Sequence, residues 1–308
     1  MSDNRVRVEV SGRELSLSSL DKMFYPAAGF TKGEVIDYYT RIAPVLLPHL
    51  RDRALTRIRY PNGVEEKSFF EKNAPASTPE WVRRTRLPTP GSAKGRETID
   101  YVVADDLPTL VWLANLAALE LHTPQWRVDS RNRAQPPDLM GVDLAPGAPA
   151  ALPECFNVAL LLRDRLAEDG IASFPKTSGK KGMQLCCPIA GRQSSDAVSA
   201  YAKRIAEELE RAEPKSITSK MAKRLRPGKV FIDWSQNDAA KTTVAPYSLR
   251  AQPQPTVSAP LTWEEVAEMV NGAAPARQFT AAEVLTRVDE YGDLMAPLLN
   301  PGPEVPAG

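Results

Sequence analysis

The chain has 308 residues, 43% of them hydrophobic and 25% charged, with 39 Lys and Arg against 38 Asp and Glu. That length buries a large core, as one domain or two packed lobes, and the net charge of +1 excludes a global basic field, so any nucleic-acid contact must come from local patches. No apolar run reaches the roughly 20 residues that span a bilayer, the segment MSDNRVRVEV has no signal-peptide core, and three cysteines, two of them adjacent, give neither a disulfide framework nor zinc spacing. No membrane partner and a cytoplasmic location are expected.

Val6, Val8 and Val10, then Leu15 and Leu17, alternate with polar residues around Ser11-Gly12-Arg13, which predicts a hairpin. Thr31-Lys32-Gly33-Glu34 is a capping box that opens a helix through Val35, Tyr38, Tyr39 and Ile42, with Pro44 and Pro48 expected to break or restart it. Leu55 to Tyr60 reads as a strand, residues 84–98 as a mobile polar loop, and the apolar stretch Asp106 to Leu121 as a buried helix. A strand is predicted over 138–144 and a helix from Pro153 to Asp169, closed by Gly170. Two short strands flank SGKKG (178–182), and Ser195 caps a helix to about Ala212. Strands follow at Val230–Trp234 and Thr242–Ala245, then an extended linker over 251–260 and helices over 262–271 and 280–298. Without the regular strand–helix alternation of a doubly wound sheet, an α+β fold is expected, with residues 1–300 as one domain and 301–308 as a disordered tail.

Six stretches carry candidate chemistry. LMGVDLAPG (139–147) is an apolar strand with one carboxylate, Asp143; residues two apart share a face, so Ala145 points the same way. KVFIDWSQN (229–237) sets Asp233 in a second apolar strand. Two such aspartates either cap turns or hold a hard divalent cation. KTSGKKGMQ (176–184) is either a phosphate cradle or a solvated turn; it is not a Walker A loop, because no helix follows. Lys32 opposes the helix dipole just inside a cap, which makes sense where an anion binds, or it is simply an exposed lysine. Lys220, Lys223, Arg224, Arg226 and Lys229 form an acid-free run suited to phosphate backbones or to a solvated face. Phe69 and Phe70 are either core or a base-stacking platform.

The segments LDKMFYPAAGFTKGEVIDYY, RYPNGVEEKSFFEKNAP, WLANLAALELHTPQW, KTSGKKG and KVFIDWSQNDAAKTTVAPYSLR resemble, in order, the polymerase domain of bacterial ligase D, a member of the archaeo-eukaryotic primase superfamily. The resemblance runs over residues 5 to 298 and is most specific in the DWSQN…APYSLR block; with no ligase or nuclease segment attached, a stand-alone relative is expected. It implies a primase-polymerase core of packed mixed and antiparallel sheets flanked by helices. It also implies addition of ribo- or deoxynucleotides (NTP or dNTP) to a DNA 3′ end in non-homologous end joining, with Mg²⁺ or Mn²⁺ and with Ku and a ligase as partners.

The same resemblance implies roles for individual residues. The family's DLDPG reads DLAPG, so Asp143 and Asp233 match two of three metal-binding aspartates and the remaining one is Ala145. Asp143 and Asp233 are expected to lie close together, with Ala145 beside them. His122 joins them as a catalytic position. Arg59, Ser178, Lys181, Gln184, Gln236 and Arg250 match the nucleotide site, although Gln184 stands where the family has histidine and Ile58 replaces the middle residue of an R-K-R. Ser19, Lys22 and Lys32 match a pocket for the 5′-phosphate of a DNA end or gap, and Phe69 and Phe70 the aromatic pair that stacks on bases. Two functions are weighed: a nucleotidyltransferase with activity reduced by the lost aspartate, and a non-catalytic module that binds or bridges DNA ends.

Overall fold

The structure, a computed structural model, describes residues 5–89 and 97–307. The alternating valines form the hairpin of β1 (Arg5–Val10) and β2 (Arg13–Ser18). A small pair, β3 (Met23–Tyr25) with β4 (Phe30–Thr31), feeds α1 (Lys32–Leu50). The capping box forms as read: Glu34 N donates to Thr31 Oγ1 and Thr31 N donates to the Glu34 carboxylate at 2.7 Å. Pro44 and Pro48 lie inside α1 and do not break it. An interior proline costs about 3 kcal/mol, but Val35, Tyr38, Tyr39, Ile42, Leu46 and Leu50 are all buried, each contributing roughly 1.5–3 kcal/mol. The Tyr38 hydroxyl donates to Tyr247 O at 2.7 Å and the Tyr39 hydroxyl to Leu119 O at 2.5 Å, tying α1 to distant strands.

β5 (Thr56–Arg59) and β6 (Phe69–Glu71) pair antiparallel. The segment expected as a mobile loop is instead a hairpin of β7 (Arg84–Pro88) and β8 (Thr98–Val102), with Thr85 and Leu87 buried at period two between charged neighbours; its residues 90–96 lie outside the described residues. The run 106–121 is not one helix. α2 (Leu107–Asn115) is capped by Asp106, the chain reverses at Ala117 (φ +62°), and the rest is β9 (Ala118–Thr123). A continuous apolar run suits a buried helix or a buried strand equally; pairing with β5 on one edge decides for the strand.

The second half supplies β10 (Leu139–Pro146), α3 (Leu152–Glu168), β11 (Phe174–Thr177), β12 (Met183–Pro188), α4 (Ser195–Ala212), β13 (Ile217–Thr218) and β14 (Val230–Asp233). Ser194, one residue before the expected cap, accepts from Ala197 N at 3.2 Å and starts α4. These strands form a sheet in the order β11–β12–β10–β14–β13, antiparallel apart from the parallel β13–β14 pair. Met140, Val142 and Leu144 are buried in the core, and α3 and α4 pack against β10. Strand parity turns Asp143 and Ala145 to the opposite face.

β15 (Thr243–Val244) completes a second sheet, β15–β9–β5–β6. β16 (Thr256–Val257), in the expected linker, pairs with β17 (Phe279–Thr280) across α5 (Trp263–Asn271). α6 (Ala281–Tyr291) ends earlier than the expected 298. Two main sheets flanked by helices give the α+β class expected. The tail expected to be disordered packs instead over its described part, 301–307. Val305 is buried, exchanges two hydrogen bonds with the Gln193 side chain, and Pro303 O accepts from Ala190 N at 3.0 Å. Prolines leave this segment little backbone entropy to lose, so few contacts suffice to order it.

Candidate functional site

Four strands of the first sheet bring Lys176, Gln184, Asp143 and Asp233 into one lateral row, each the cross-strand partner of the next. Directly opposed Cβ atoms lie about 4.5–5.5 Å apart, so the two aspartates share one patch, as period-two geometry requires. Ala145 lies on the same face opposite Phe231, and the Arg226 guanidinium covers that ring at 3.8 Å. Where a further carboxylate was implied there is a methyl group against an aromatic ring.

Burial, and then the charge of Asp233, push the Asp143 carboxyl up to about 6, against the pull of Lys176, Arg250 and Gln184. Asp233 also closes a turn. Its Oδ1 accepts from Ser235 N at 3.0 Å and Ser235 Oγ at 2.6 Å, and its Oδ2 from Gln236 Nε2 at 2.8 Å. The turn-capping reading therefore holds at Asp233, and of the roughly four lone-pair sites of a carboxylate not all are used. Gln236 is occupied in orienting it. Lys176, missed in the sequence, is 1% exposed; its ammonium donates to Gln184, to Val244 O at 2.9 Å and to Ser258 Oγ at 2.7 Å, and burial lowers its pKa to about 8.

Two opposed carboxylates that repel each other fit one divalent cation. They do not fit the three-aspartate, two-ion arrangement: among the described residues no group of three or more His, Cys, Asp or Glu could hold a metal. Other acids are committed elsewhere. Asp138 is bonded by Arg53 and Arg127, Asp105 by Arg83, and Asp106 caps α2.

The second sheet contributes a different centre. β9 sets Glu120 and His122 on one face, and His122 Nε2 lies 3.0 Å from Glu120 Oε2. Glu120 Oε1 accepts from Ala251 N at 3.0 Å and lies 3.3 Å from Lys180 Nζ and 3.4 Å from Arg250 Nε. Burial opposes ionisation of Glu120, but the His122 bond, Arg250 and Lys180 outweigh it and hold the carboxyl far below its ordinary range. Burial lowers the pKa of His122, with Glu120 pulling the other way. Arg250 Nη1 donates to Ser178 O at 2.8 Å, and Ser178 Oγ accepts from Lys180 N and Gly182 N, which folds the glycine-lysine turn against this centre. Lys181 is exposed. Ile58 is the cross-strand partner of Glu120. Arg59 donates to Leu116 O at 2.6 Å and to Glu71 Oε1 at 2.9 Å. Glu120 and Lys180 escaped the sequence reading; the Glu-x-His spacing would have placed Glu120 had residues 118–123 been read as a strand.

At the N-terminal end, Lys32 N donates to Lys22 O at 2.8 Å, so the two lysines meet through their backbones. Lys32 is buried and its Nζ donates to Ser18 Oγ at 3.2 Å; Lys22 Nζ donates to Asn62 Oδ1 at 2.7 Å. Burial, then Lys22, lower the Lys32 pKa to about 8. Ser19 is exposed in the left-handed region (φ +54°) and its carbonyl accepts from Lys22 N. Asn62 was not anticipated. Phe69 and Phe70 are both exposed, but as neighbours on β6 they point to opposite faces. Phe70 lines a cleft of about 1340 Å³ with Lys72, Arg86, Trp126 and Arg133, while Phe69 carries the Lys67 ammonium over its ring. Lys220, Lys223 and Arg224 are exposed.

Comparison with known proteins gives a consistent picture. The model of the LigD primase-polymerase domain matches residues 31–295. The chain is 44% identical over 283 residues to the multifunctional non-homologous end joining protein LigD of Mycolicibacterium smegmatis, covering 92% of this chain and 36% of that protein. It is 34% identical over 280 residues to the bifunctional LigD of Bacillus subtilis, covering 91% and 43%. The chain thus spans less than half the length of these curated relatives. The polymerase domain of Mycobacterium tuberculosis ligase D, solved in complex with DNA, superposes with a TM-score of 0.87 at 41% identity, covering 94% of this chain and 99% of that one.

Proposed function

Because this chain belongs to the LigD primase-polymerase family, we propose that it adds nucleotides to a DNA 3′ end at a gap or break during end joining, from a site that holds one divalent ion. The observation that carries this reading is the half-buried cross-strand pair Asp143–Asp233 on the sheet face away from α3 and α4. Asp143 and Asp233 would hold Mg²⁺ or Mn²⁺, which supplies a Lewis acid that acidifies the attacking hydroxyl and offsets phosphate charge. Arg250, Lys180 and Lys181 offer the fixed positive charge for a triphosphate, and the Ser178 turn orients two of them. His122 supplies a partly exposed imidazole for a phosphate or sugar hydroxyl. Gln184 lends neutral hydrogen bonds and Gln236 keeps Asp233 in place.

DNA is held on the other side. Lys22 and Lys32, with Ser19 and Asn62 beside them, receive the 5′-phosphate of a recessed end. Phe70 stacks on a base in the cleft, and Phe69 meets DNA on the opposite face of β6. The 220–229 run adds non-specific phosphate contacts. Ku and a separate ligase are the proposed partners, in the cytoplasm beside the nucleoid; no described helix is long and apolar enough to cross a membrane.

A second reading is favoured by Ala145 and its apolar surroundings: a DNA-end-binding or bridging module that does not polymerise. Primer extension on a gapped duplex with a 5′-phosphate, in Mg²⁺ and in Mn²⁺, separates the two. Divalent-dependent extension that Asp143→Ala abolishes supports the first reading. Tight, phosphate-dependent end binding with no extension in either metal supports the second.

A further inference from the structure

Among the described residues, the most heavily partnered buried acid is one to which the family resemblance assigned no role. Glu120 is 0% exposed, yet it lies within hydrogen-bond or ion-pair reach of His122 on its own strand and of two further segments: the glycine-lysine turn through Lys180, and residues 250–251 through Arg250 and Ala251 N. We infer that Glu120 is a positioning residue of the nucleotide site: it dictates which nitrogen of His122 carries the proton and aims Lys180 and Arg250 together. This rests on the proposed nucleotide site but reaches beyond it.

Ionised Glu120 can only accept hydrogen bonds. Its bond to His122 Nε2 therefore requires the proton on Nε2, which leaves Nδ1 as the free acceptor of the neutral ring. Nδ1 has no protein partner among the described residues, and the His122 side chain keeps 14% of its surface, so this nitrogen is what the ring presents. The charge count points the same way. One carboxylate faces two basic side chains, Lys180 and Arg250, so the centre keeps an excess positive charge after Glu120 has fixed its geometry. An excess cation beside a hydrogen-bond acceptor suits a polyphosphate with a nearby hydroxyl. The groups Tyr25, Tyr39 and Tyr60 also feel the Glu120 charge, but burial raises the pKa of each and keeps it neutral. Ile58, directly across the strand pair, adds no charge.

The test compares wild type with Glu120→Gln and Glu120→Asp. The chain has two histidines, so imidazole nitrogen NMR resolves His122 once His122→Gln identifies its signals. Wild type is expected to show the Nε2–H tautomer. In Glu120→Gln the amide oxygen stays with the Ala251, Lys180 and Arg250 donors, so the NH2 faces His122; the tautomer should shift toward Nδ1–H and the imidazole should hold its proton less firmly. ATP with Mg²⁺, titrated calorimetrically against each folded protein, should bind roughly tenfold more weakly to Glu120→Gln, a size typical of losing an orienting partner. Glu120→Asp keeps the charge but not the reach, and should keep the wild-type tautomer with an intermediate affinity. If Glu120→Gln does not fold, Glu120→Asp and Lys180→Met carry the test; Lys180→Met should keep the tautomer and weaken ATP binding several-fold. An unchanged tautomer in folded Glu120→Gln, or ATP binding unchanged in all three variants, overturns the inference. Absence of extension by wild type would sink the proposed polymerisation and leave the tautomer and binding results to decide about Glu120.

Discussion

Asp143 and Glu120 are both strand carboxylates, on β10 and β9, and their pKa values move in opposite directions. Asp143 is driven up to about 6 by burial and by a second carboxylate across the strand. Glu120 is driven far down by the His122 bond, Arg250 and Lys180, although burial alone would raise it. The fold thus sets cations in ion-pair reach of Glu120, whereas Asp143 feels Lys176 and Arg250 but faces a second carboxylate. An acid with protein cations around it organises structure. An acid left facing another acid is short of a cation, and that shortage is what makes Asp143–Asp233 a candidate ion site.

The largest effect should come from emptying the satisfied centre. Glu120→Ala leaves Arg250 and Lys180 without their shared partner, and breaking a buried pair costs about 3–5 kcal/mol; a urea midpoint close to wild type would break the contrast. The comparison extends to cations, because Lys32 is also shifted by burial with no protein carboxylate to offset it. Replacing Lys22 and Lys32 together by alanine should remove most preference for 5′-phosphorylated ends, each charge-assisted contact contributing roughly 1.5–3 kcal/mol before screening. In wild type that preference should fade as pH rises through about 8, where Lys32 loses its proton. Competition between ends differing only in the phosphate measures both, and equal affinity for the two ends would remove the pocket.

Asp143→Asn should do the opposite of Glu120→Ala. Burial and Asp233 raise the folded carboxyl to about 6 from its ordinary value of 3.8. Ionisation is therefore harder in the fold: the penalty is absent below the lower value, grows between the two, and is complete above the higher. The variant should be more stable than wild type by about 1–2 kcal/mol at pH 8, allowing for the partial exposure of Asp143, and indistinguishable from it below pH 4. Mg²⁺ should raise the melting temperature of wild type and not of the variant. The smallest effect is expected from Ala145→Asp, which sets a new carboxylate on the Asp143 face beside Phe231. Mn²⁺ affinity should rise about tenfold, or 1.4 kcal/mol, with little gain in extension while Ile58 and Gln184 remain. Adding Ile58→Lys and Gln184→His should raise activity far more, because groups serving one transition state are not additive. Extension by wild type at the rate of the triple variant would show that nothing had been lost.

Much of this was legible along the chain, and the reason is locality. A capping box needs only four consecutive residues, so Thr31–Glu34 and the start of α1 followed from the sequence, as did the shared face of Asp143 and Ala145 and the family signatures through which Asp233, Arg250 and the two lysines were found. The persistence of α1 through Pro44 and Pro48 was not legible, because its buried face is completed by residues from β9 and the 247–249 segment. The strand β9 was hidden for the same reason: an apolar run carries no mark of its partner, and only pairing with β5 turned residues 118–123 into a strand. With that strand came the face shared by Glu120 and His122. Lys176 and Lys180 found their partners, and Asp138 was captured by Arg53, only when segments dozens of residues apart were packed together. Sequence by itself determined which charged groups this protein has and which local faces they occupy. Tertiary structure alone decided which of them are neutralised, because the energy of a buried charge is set by its neighbours in space.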